Sequence, residues 1–331
     1  MNTVTKKLGS SEEMWCNITE IKSVQLIQFY MYIPIFLLGL PFNAMALWVF
    51  CWKLRKWTET TIYMTSLAVA DTLVLLSLPF KLYSYKHDWN LGLGFCAFLE
   101  CLYFLNMYVS IYITVCICVD RYIAIKYPLN AVRYRSPVKA AIACGVTWTL
   151  VCLIRIPLQI HSTIEAQNQN QRQCFVNRSQ HPPSSWIVIV IELVGFIIPA
   201  IILSFCSFQI ITTLHKRKME SYGSIRFSKT IVIIATTLTS FFICYLPFHI
   251  GYFLQFVFES SEQNCVKQNI VRTFVRISIC LANGNCCLDA IIYYFASVEI
   301  RNYFRPKKAC RNNNELCIIT QCSTPLEARG S

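Results

Sequence analysis

Seven long apolar stretches, near residues 27–52, 61–84, 96–119, 138–158, 187–213, 230–257 and 272–296, constrain this chain more than any other feature. Each reaches the ~20 residues that a helix needs to cross the hydrocarbon core of a bilayer. Lipid offers no hydrogen bonds, so only helices and closed barrels span it. Barrel strands read as ~10-residue alternating segments, and none appear. The chain is therefore expected to be an all-α membrane protein, a seven-transmembrane helix bundle. Composition agrees, with 14% charged and 55% hydrophobic residues where soluble domains carry about 25% charged residues. Three parts are expected: an N-terminal segment (1–26), the bundle (27–296) and a tail (297–331). No apolar run precedes the first span, so that span is expected to do the targeting without a cleaved signal.

The net charge is +13, and its distribution orients the bundle. The tail and the loops after the first, third and fifth stretches hold more than twice as many Lys and Arg residues as the other loops and the N-terminus. By the positive-inside rule the N-terminus is extracellular and the tail cytoplasmic. Attraction to the inner leaflet accounts for the basic balance, so no nucleic-acid partner is needed. Asn17 and Asn177 begin glycosylation sequons on the outer side. Of 18 cysteines, most lie in apolar stretches as small hydrophobes, and no spacing suggests zinc. Cys16, Cys96, Cys174 and Cys265 fall on the oxidising face, which leaves three possible pairings. The tail opens as a basic amphipathic segment suited to lie on the inner leaflet, an eighth helix. Cys310, just past Lys307 and Lys308, is a candidate for palmitoylation or a plain thiol.

Charges inside the apolar stretches need reasons. Arg121 lies 25 residues beyond Cys96, roughly 37 Å along a helix, so the two mark opposite ends of the third span. Alone, Asp120-Arg121 reads as an interfacial anchor whose arginine snorkels. Asp71 in "LAVADTLVLLSLPF" is an intramembrane carboxylate and a functional candidate by default. Asn285 and Asp289 sit one turn apart in "NGNCCLDAIIYY", with Tyr293 a turn further on. Asn43 and Ser110 lie at similar depth. Two carboxylates with neutral oxygens suit a small hard cation; a mutually hydrogen-bonded polar core is the other reading.

Asn43 in "LPFNAMALWVF", "LAVAD", Cys96, Asp120-Arg121-Tyr122, Trp148, Pro199 in "GFIIPAII", Pro247 in "FFICYLP" and "DAIIY" stand in order, one set per span. Together they resemble the signatures of rhodopsin-like G-protein-coupled receptors. Two departures stand out. The last span reads Asp289-Ala290 where most members have Asn-Pro, so its inner half should kink less, and Tyr245 replaces a usual Trp. The resemblance implies that Asp120 holds Arg121 at rest, then releases it to a heterotrimeric G protein, with Tyr122 and Tyr293 in the same coupling machinery. It also implies sodium at Asp71, Ser110, Asn285 and Asp289 and the disulfides Cys96–Cys174 and Cys16–Cys265. Arrestin is an implied further partner. For the G protein it implies the twelve/thirteen class, with the q class next.

Within that family "LSLPFK", "ECLYF", "FLQF" and "NCCLD" are most similar to members that answer lysophosphatidylinositol; a neighbouring branch answers aromatic or tryptophan-derived acids. Lys81 lies ten residues outward of Asp71, about 15 Å, at the depth of Glu100, Arg155, Glu192, His249 and Arg276. Tyr103, Phe104, Met107, Tyr245 and Phe248 supply apolar wall, and Gln255 belongs to "FLQF". A basic mouth over an apolar interior suits an amphiphilic anion, whereas snorkelling or a structural Lys81–Glu100 ion pair would make the cations mere anchors. A transporter would show inverted repeats or Gly/Pro-broken helix pairs, and no repeat is visible. No hydrolytic or metal constellation marks an enzyme, and no catalytic residue is expected.

Overall fold

The computed structural model describes residues 2–53, 57–168, 174–175, 185–220, 225–261 and 265–296, with side chains from residue 23 onward except at 132, 166, 218–220, 225–228, 259–261, 265 and 293–296. Helices α1 (Asn2–Trp48), α2 (Glu59–Ser84), α3 (Leu93–Lys126), α4 (Pro128–Tyr134), α5 (Pro137–Asn168), α6 (Ser185–Glu192), α7 (Ile198–Glu220), α8 (Ile225–Ser261) and α9 (Cys265–Ala296) follow in order. A π turn (Val49–Lys53) ends α1, and another (Leu193–Ile197) joins α6 to α7 as one span. Seven segments are long and apolar enough to cross a membrane: 23–53, 59–84, 93–126, 137–165, 185–217, 229–258 and 266–292. Most overrun the apolar stretches at one or both ends, because helical hydrogen bonding continues into the polar flanks.

Local chemistry explains the boundaries. Thr58 caps α2, its Oγ1 accepting from the Thr61 amide at 3.3 Å, with Glu59 in the first turn where the helix dipole favours an anion. Pro128 opens α4 at the position where a missing N–H costs nothing. Prolines inside α1, α2, α5 and α8 are tolerated because neighbouring helices and local adjustments re-satisfy the freed carbonyls. α9 runs unbroken through Asp289-Ala290 to Ala296.

α3 is the axle of the bundle. One face (Leu102, Leu105, Val109, Ile113) packs in a cluster with α1, α2 and α5; another (Met107, Ile111, Cys118) packs with α7 and α8. Leu153, Ile201 and Ile243 point outward, as a lipid-solvated surface requires. Polar ties link the helices where hydrocarbon makes them necessary. Trp148 Nε1 donates to Ser66 Oγ at 2.9 Å, and Asn43 Nδ2 donates to the Gly39 and Cys286 carbonyls at 3.0 and 3.1 Å.

Several expected features lie outside what is described: the sequons Asn17 and Asn177, the Cys16–Cys265 pair, the Tyr293 side chain, Cys310 and the eighth helix in 297–331.

Gly251 sets the spacing of α8 and α9, because a Cβ there would meet Phe274 Cδ1 at 2.8 Å and Val275 Cγ2 at 3.0 Å. Gly251→Val is expected to destabilise the bundle by ~1–3 kcal/mol, the usual penalty of overpacking. The check is a thermal melt of purified protein in detergent, where Gly145→Val, at an open position, should melt close to wild type.

Candidate functional site

At one end of the bundle Cys96 of α3 is bonded to Cys174. Phe175 follows with φ 63°, among the described residues the only positive φ outside glycine. An aromatic residue rarely adopts that left-handed region. Its amide donates to Glu100 Oε1 at 2.9 Å, which holds the turn and brings the ring against Tyr103, Trp89 and Lys81 at 5.7, 6.2 and 5.1 Å.

Lys81 reaches inward from α2 and is only 7% exposed. Its Nζ lies 4.2 Å from the Tyr103 ring centre and 4.9 Å from that of Tyr32, and donates to the Tyr32 hydroxyl at 3.4 Å. This corrects two readings of the sequence. Lys81 does not snorkel, and it is not ion-paired with Glu100. Glu100 turns the other way: its Oε2 accepts from Gln159 Nε2 at 2.9 Å, and Gln159 Oε1 accepts from Arg155 at 2.7 Å. The Arg155 guanidinium sits 3.9 Å from the Phe104 ring centre, and its Nε is buried without a partner.

A second polar centre lies between α6 and α8. Glu192 meets His249 Nδ1 at 3.2 Å. The imidazole, 2% exposed, stacks on Phe196 of the π turn at 4.4 Å, and its Nε2 is buried with no partner. Gly195 in the same turn admits the Tyr108 ring, which a Cβ would meet at 2.8 Å. Met107, Tyr245 and Phe248 are buried beside this centre in one core cluster. Lys81, Glu100, Tyr103, Phe104 and Arg155 are thus brought into one connected group, while Arg276 and Gln255 stay half-buried on α9 and α8, outside the Lys81 cage.

In the middle of the bundle Asp71 is fully buried. Its Oδ1 accepts from Asn106 Nδ2 at 2.8 Å, and Asp289 Oδ2 accepts from Asn285 Nδ2 at 2.6 Å. Ser110 Oγ and Asn43 Oδ1 are buried without hydrogen-bond partners.

At the far end of α3 the expected Asp120–Arg121 pair does not form. Asp120 instead takes a two-pronged bond from Arg135, Nε to Oδ1 at 2.7 Å and Nη2 to Oδ2 at 2.9 Å, with Glu59 3.5 Å from the same guanidinium. Adjacent helical residues point in different directions, so Asp120 faces the segment after α4 while Arg121 donates to Thr60 Oγ1 at the start of α2. The Arg135 pKa is raised, first by the hydrogen bonds to Asp120, and also by the Asp120 and Glu59 charges. Tyr122 stays half-buried against Phe205 and Tyr127.

Sequence reasoning missed Tyr32, Gln159, Phe175, Asn106 and Arg135. Asn106 carried a usable signal, as an amide inside an apolar run, and so did Phe175, next to a disulfide-candidate cysteine. Nothing in the sequence marked Arg135 or Gln159 as a partner.

Comparison with known proteins returns one kind of match. A model of the 7 transmembrane receptor (rhodopsin family) fits residues 42–293. The chain is 36% identical to mouse G-protein coupled receptor 55 over 85% of its own length and 88% of the relative's. It is 33% identical to human G-protein coupled receptor 35 over 96% and 99%, respectively. Chicken lysophosphatidic acid receptor 6 matches at 36% over 80% and 87%. These are receptors rather than enzymes, as the sequence led us to expect, with receptors 55 and 35 both close. From its helices to its motifs, the chain belongs to the rhodopsin family of seven-transmembrane, G-protein-coupled receptors.

Proposed function

We propose that this receptor binds an amphiphilic anion of the lysophospholipid class, similar to lysophosphatidylinositol, in the disulfide-bearing half of its bundle. The observation that carries this reading is Lys81, a buried ammonium ringed by Tyr32, Tyr103 and Phe175 and making no ion pair among the described residues. Burying a cation without a counter-charge costs several kcal/mol, and a ring face returns ~0.5–2 kcal/mol. An anionic headgroup supplies the missing charge, and the buried wall of Met107, Tyr245 and Phe248 suits an apolar tail. The similarity to a receptor named for lysophosphatidic acid points to the same ligand class. A second reading, a small aromatic acid, is favoured by Arg155 packed on Phe104 and by the buried open donor of Arg155.

In this proposal the disulfide end faces the extracellular side of the plasma membrane, and Arg121 the cytoplasm, in accord with the bias in Lys and Arg residues. Arg121 and Tyr122, with Tyr293, meet a G protein of the twelve/thirteen class, the q class second, and arrestin uses the same face. Cys310 is palmitoylated. Sodium fits the central cluster: two carboxylates, Asp71 and Asp289, with Ser110 Oγ left open and Asn285 alongside, form an all-oxygen donor set. Bound there, sodium would neutralise buried negative charge and favour the resting packing.

Lys81→Ala is expected to weaken an acidic agonist by ~1.5–3 kcal/mol, roughly tenfold to 150-fold, in competition binding. Unchanged affinity for every acidic ligand would remove the anion site. Testing lysophosphatidylinositol beside a simple aromatic acid on Glu100→Gln separates the two ligand readings: a hydroxyl-bearing headgroup that uses Glu100 loses affinity, and the plain acid does not.

Agonist affinity should also fall as sodium replaces a larger cation at constant ionic strength. Asp71→Asn is expected to abolish that dependence. Its survival in the variant would reduce the cluster to a hydrogen-bonded core.

A further inference from the structure

Asp120 and Arg121 are neighbours in the chain and strangers in the fold. Asp120, 8% exposed, gives both carboxylate oxygens to Arg135. Arg121 rests on the Thr60 hydroxyl and makes no ion pair among the described residues. Arg135 follows the C-terminus of α4 in extended backbone, and reaches back across a cavity of about 200 Å³ bordered by Glu59, Tyr63, Cys116, Tyr134 and Lys139.

We infer that Arg135 is a positioning residue for Arg121: by occupying both oxygens of Asp120 it keeps that carboxylate from capturing Arg121, and so leaves Arg121 available to the G protein. The inference rests on the reading of Arg121 as the G-protein contact.

The physical case is one of competition for a buried charge. A carboxylate this enclosed does not stay without a counter-ion. Among the described residues, two cations could serve if Arg135 were lost. Lys139 borders the same cavity, but its Nζ is already engaged by the Arg133 and Tyr134 carbonyls at 3.0 and 3.4 Å. Glu59 on the remaining side repels Asp120. Arg121 is next in the chain, long enough to fold back, and held among the described residues by one hydroxyl. It would leave Thr60 for Asp120, and the charge that the G protein needs would be spent inside the receptor. The geometry therefore inverts the simple latch, in which Asp120 restrains Arg121 in every resting receptor.

The test is ligand-free nucleotide exchange on purified G protein, with full-length receptors in nanodiscs at matched density and Gα subunits of each class in turn. Arg121→Ala sets the floor. Arg135→Gln is expected to lower exchange about fivefold, and adding Asp120→Asn to it should restore exchange to within about twofold of wild type. Relief of an unpaired buried carboxylate gives the same sign of epistasis, so thermal melting of each variant is measured beside exchange. A structural tie would lower the melting temperature of Arg135→Gln in step with exchange and overturn the inference, whereas the positioning role lowers exchange at unchanged melting. The inference is overturned if Arg135→Gln equals or exceeds wild type while Arg121→Ala is low. It is equally overturned if the double variant stays as low as the single one. Wild-type exchange in Arg121→Ala would instead sink the reading of Arg121 as the contact, and this inference with it. Should Arg135→Gln fail to reach the membrane, Arg135→Lys keeps the charge but loses the fork; about a twofold loss, relieved by Asp120→Asn, is then expected, and no relief overturns the proposal.

Discussion

Hydrocarbon gives a polar side chain nothing to bond to, and the interior of this bundle is arranged around that deficit. Charged and amide groups that enter the membrane are met on their own helix, as Asp289 is by Asn285, or across to another, as Asp71 is by Asn106. α3 supplies one side of most of these arrangements. Glu100 holds Phe175 and Gln159 near one end, Asn106 meets Asp71 at the centre, and Asp120 meets Arg135 at the other end. The same helix contributes to both large apolar clusters. A helix buried on all sides can address every neighbour, so three polar layers are threaded on one axle.

The layers differ in how completely they are satisfied, and that difference runs parallel to the function proposed for each. Near the disulfide, Arg155 Nε and His249 Nε2 are buried and open, and Lys81 is met by three rings and a hydroxyl. At the centre, Ser110 Oγ and Asn43 Oδ1 are open. Native proteins leave few such groups, and here they fall in the two layers where the proposed ligand and sodium would sit. In the layer at the Arg121 end both oxygens of Asp120 are filled, which suits a switch held by internal pairing rather than by a ligand. The π turn at Leu193–Ile197 belongs to the same logic. Its extra residue per turn lets Phe196 lie flat on His249 while Gly195 makes room for Tyr108, and such turns recur at functional positions.

Phe175 shows how a strained backbone is kept. Its left-handed φ is opposed by sterics and held by a charge-assisted hydrogen bond from its amide to Glu100, by ring contacts with Tyr103 and Trp89, and by the disulfide one residue earlier. Glu100 was legible in the sequence as a charged residue near the end of a span, but its partner was not. A carboxylate accepts from any donor that tertiary packing brings within reach, and here a loop amide and a glutamine took the place that Lys81 would have filled in the ion-pair alternative.

The seven spans, the helical class and the central polar set were legible in the order of residues alone, because a bilayer punishes every violation of length and polarity, and that penalty is written along the chain as hydropathy. It also carried the family, since Asn43, Asp71, Asp120-Arg121, Trp148 and Pro247 each fall on a different helix at a fixed depth. Which side chains pair was set by the packed helices. Lys81 went to three rings rather than to Glu100, and Asp120 to Arg135 rather than to Arg121. The physical reason is rotation. Hydropathy records how deep a side chain lies along its helix, but which way it points about the axis is set by the packing of every neighbouring helix, and one residue's step on a helix turns the side chain by about 100°.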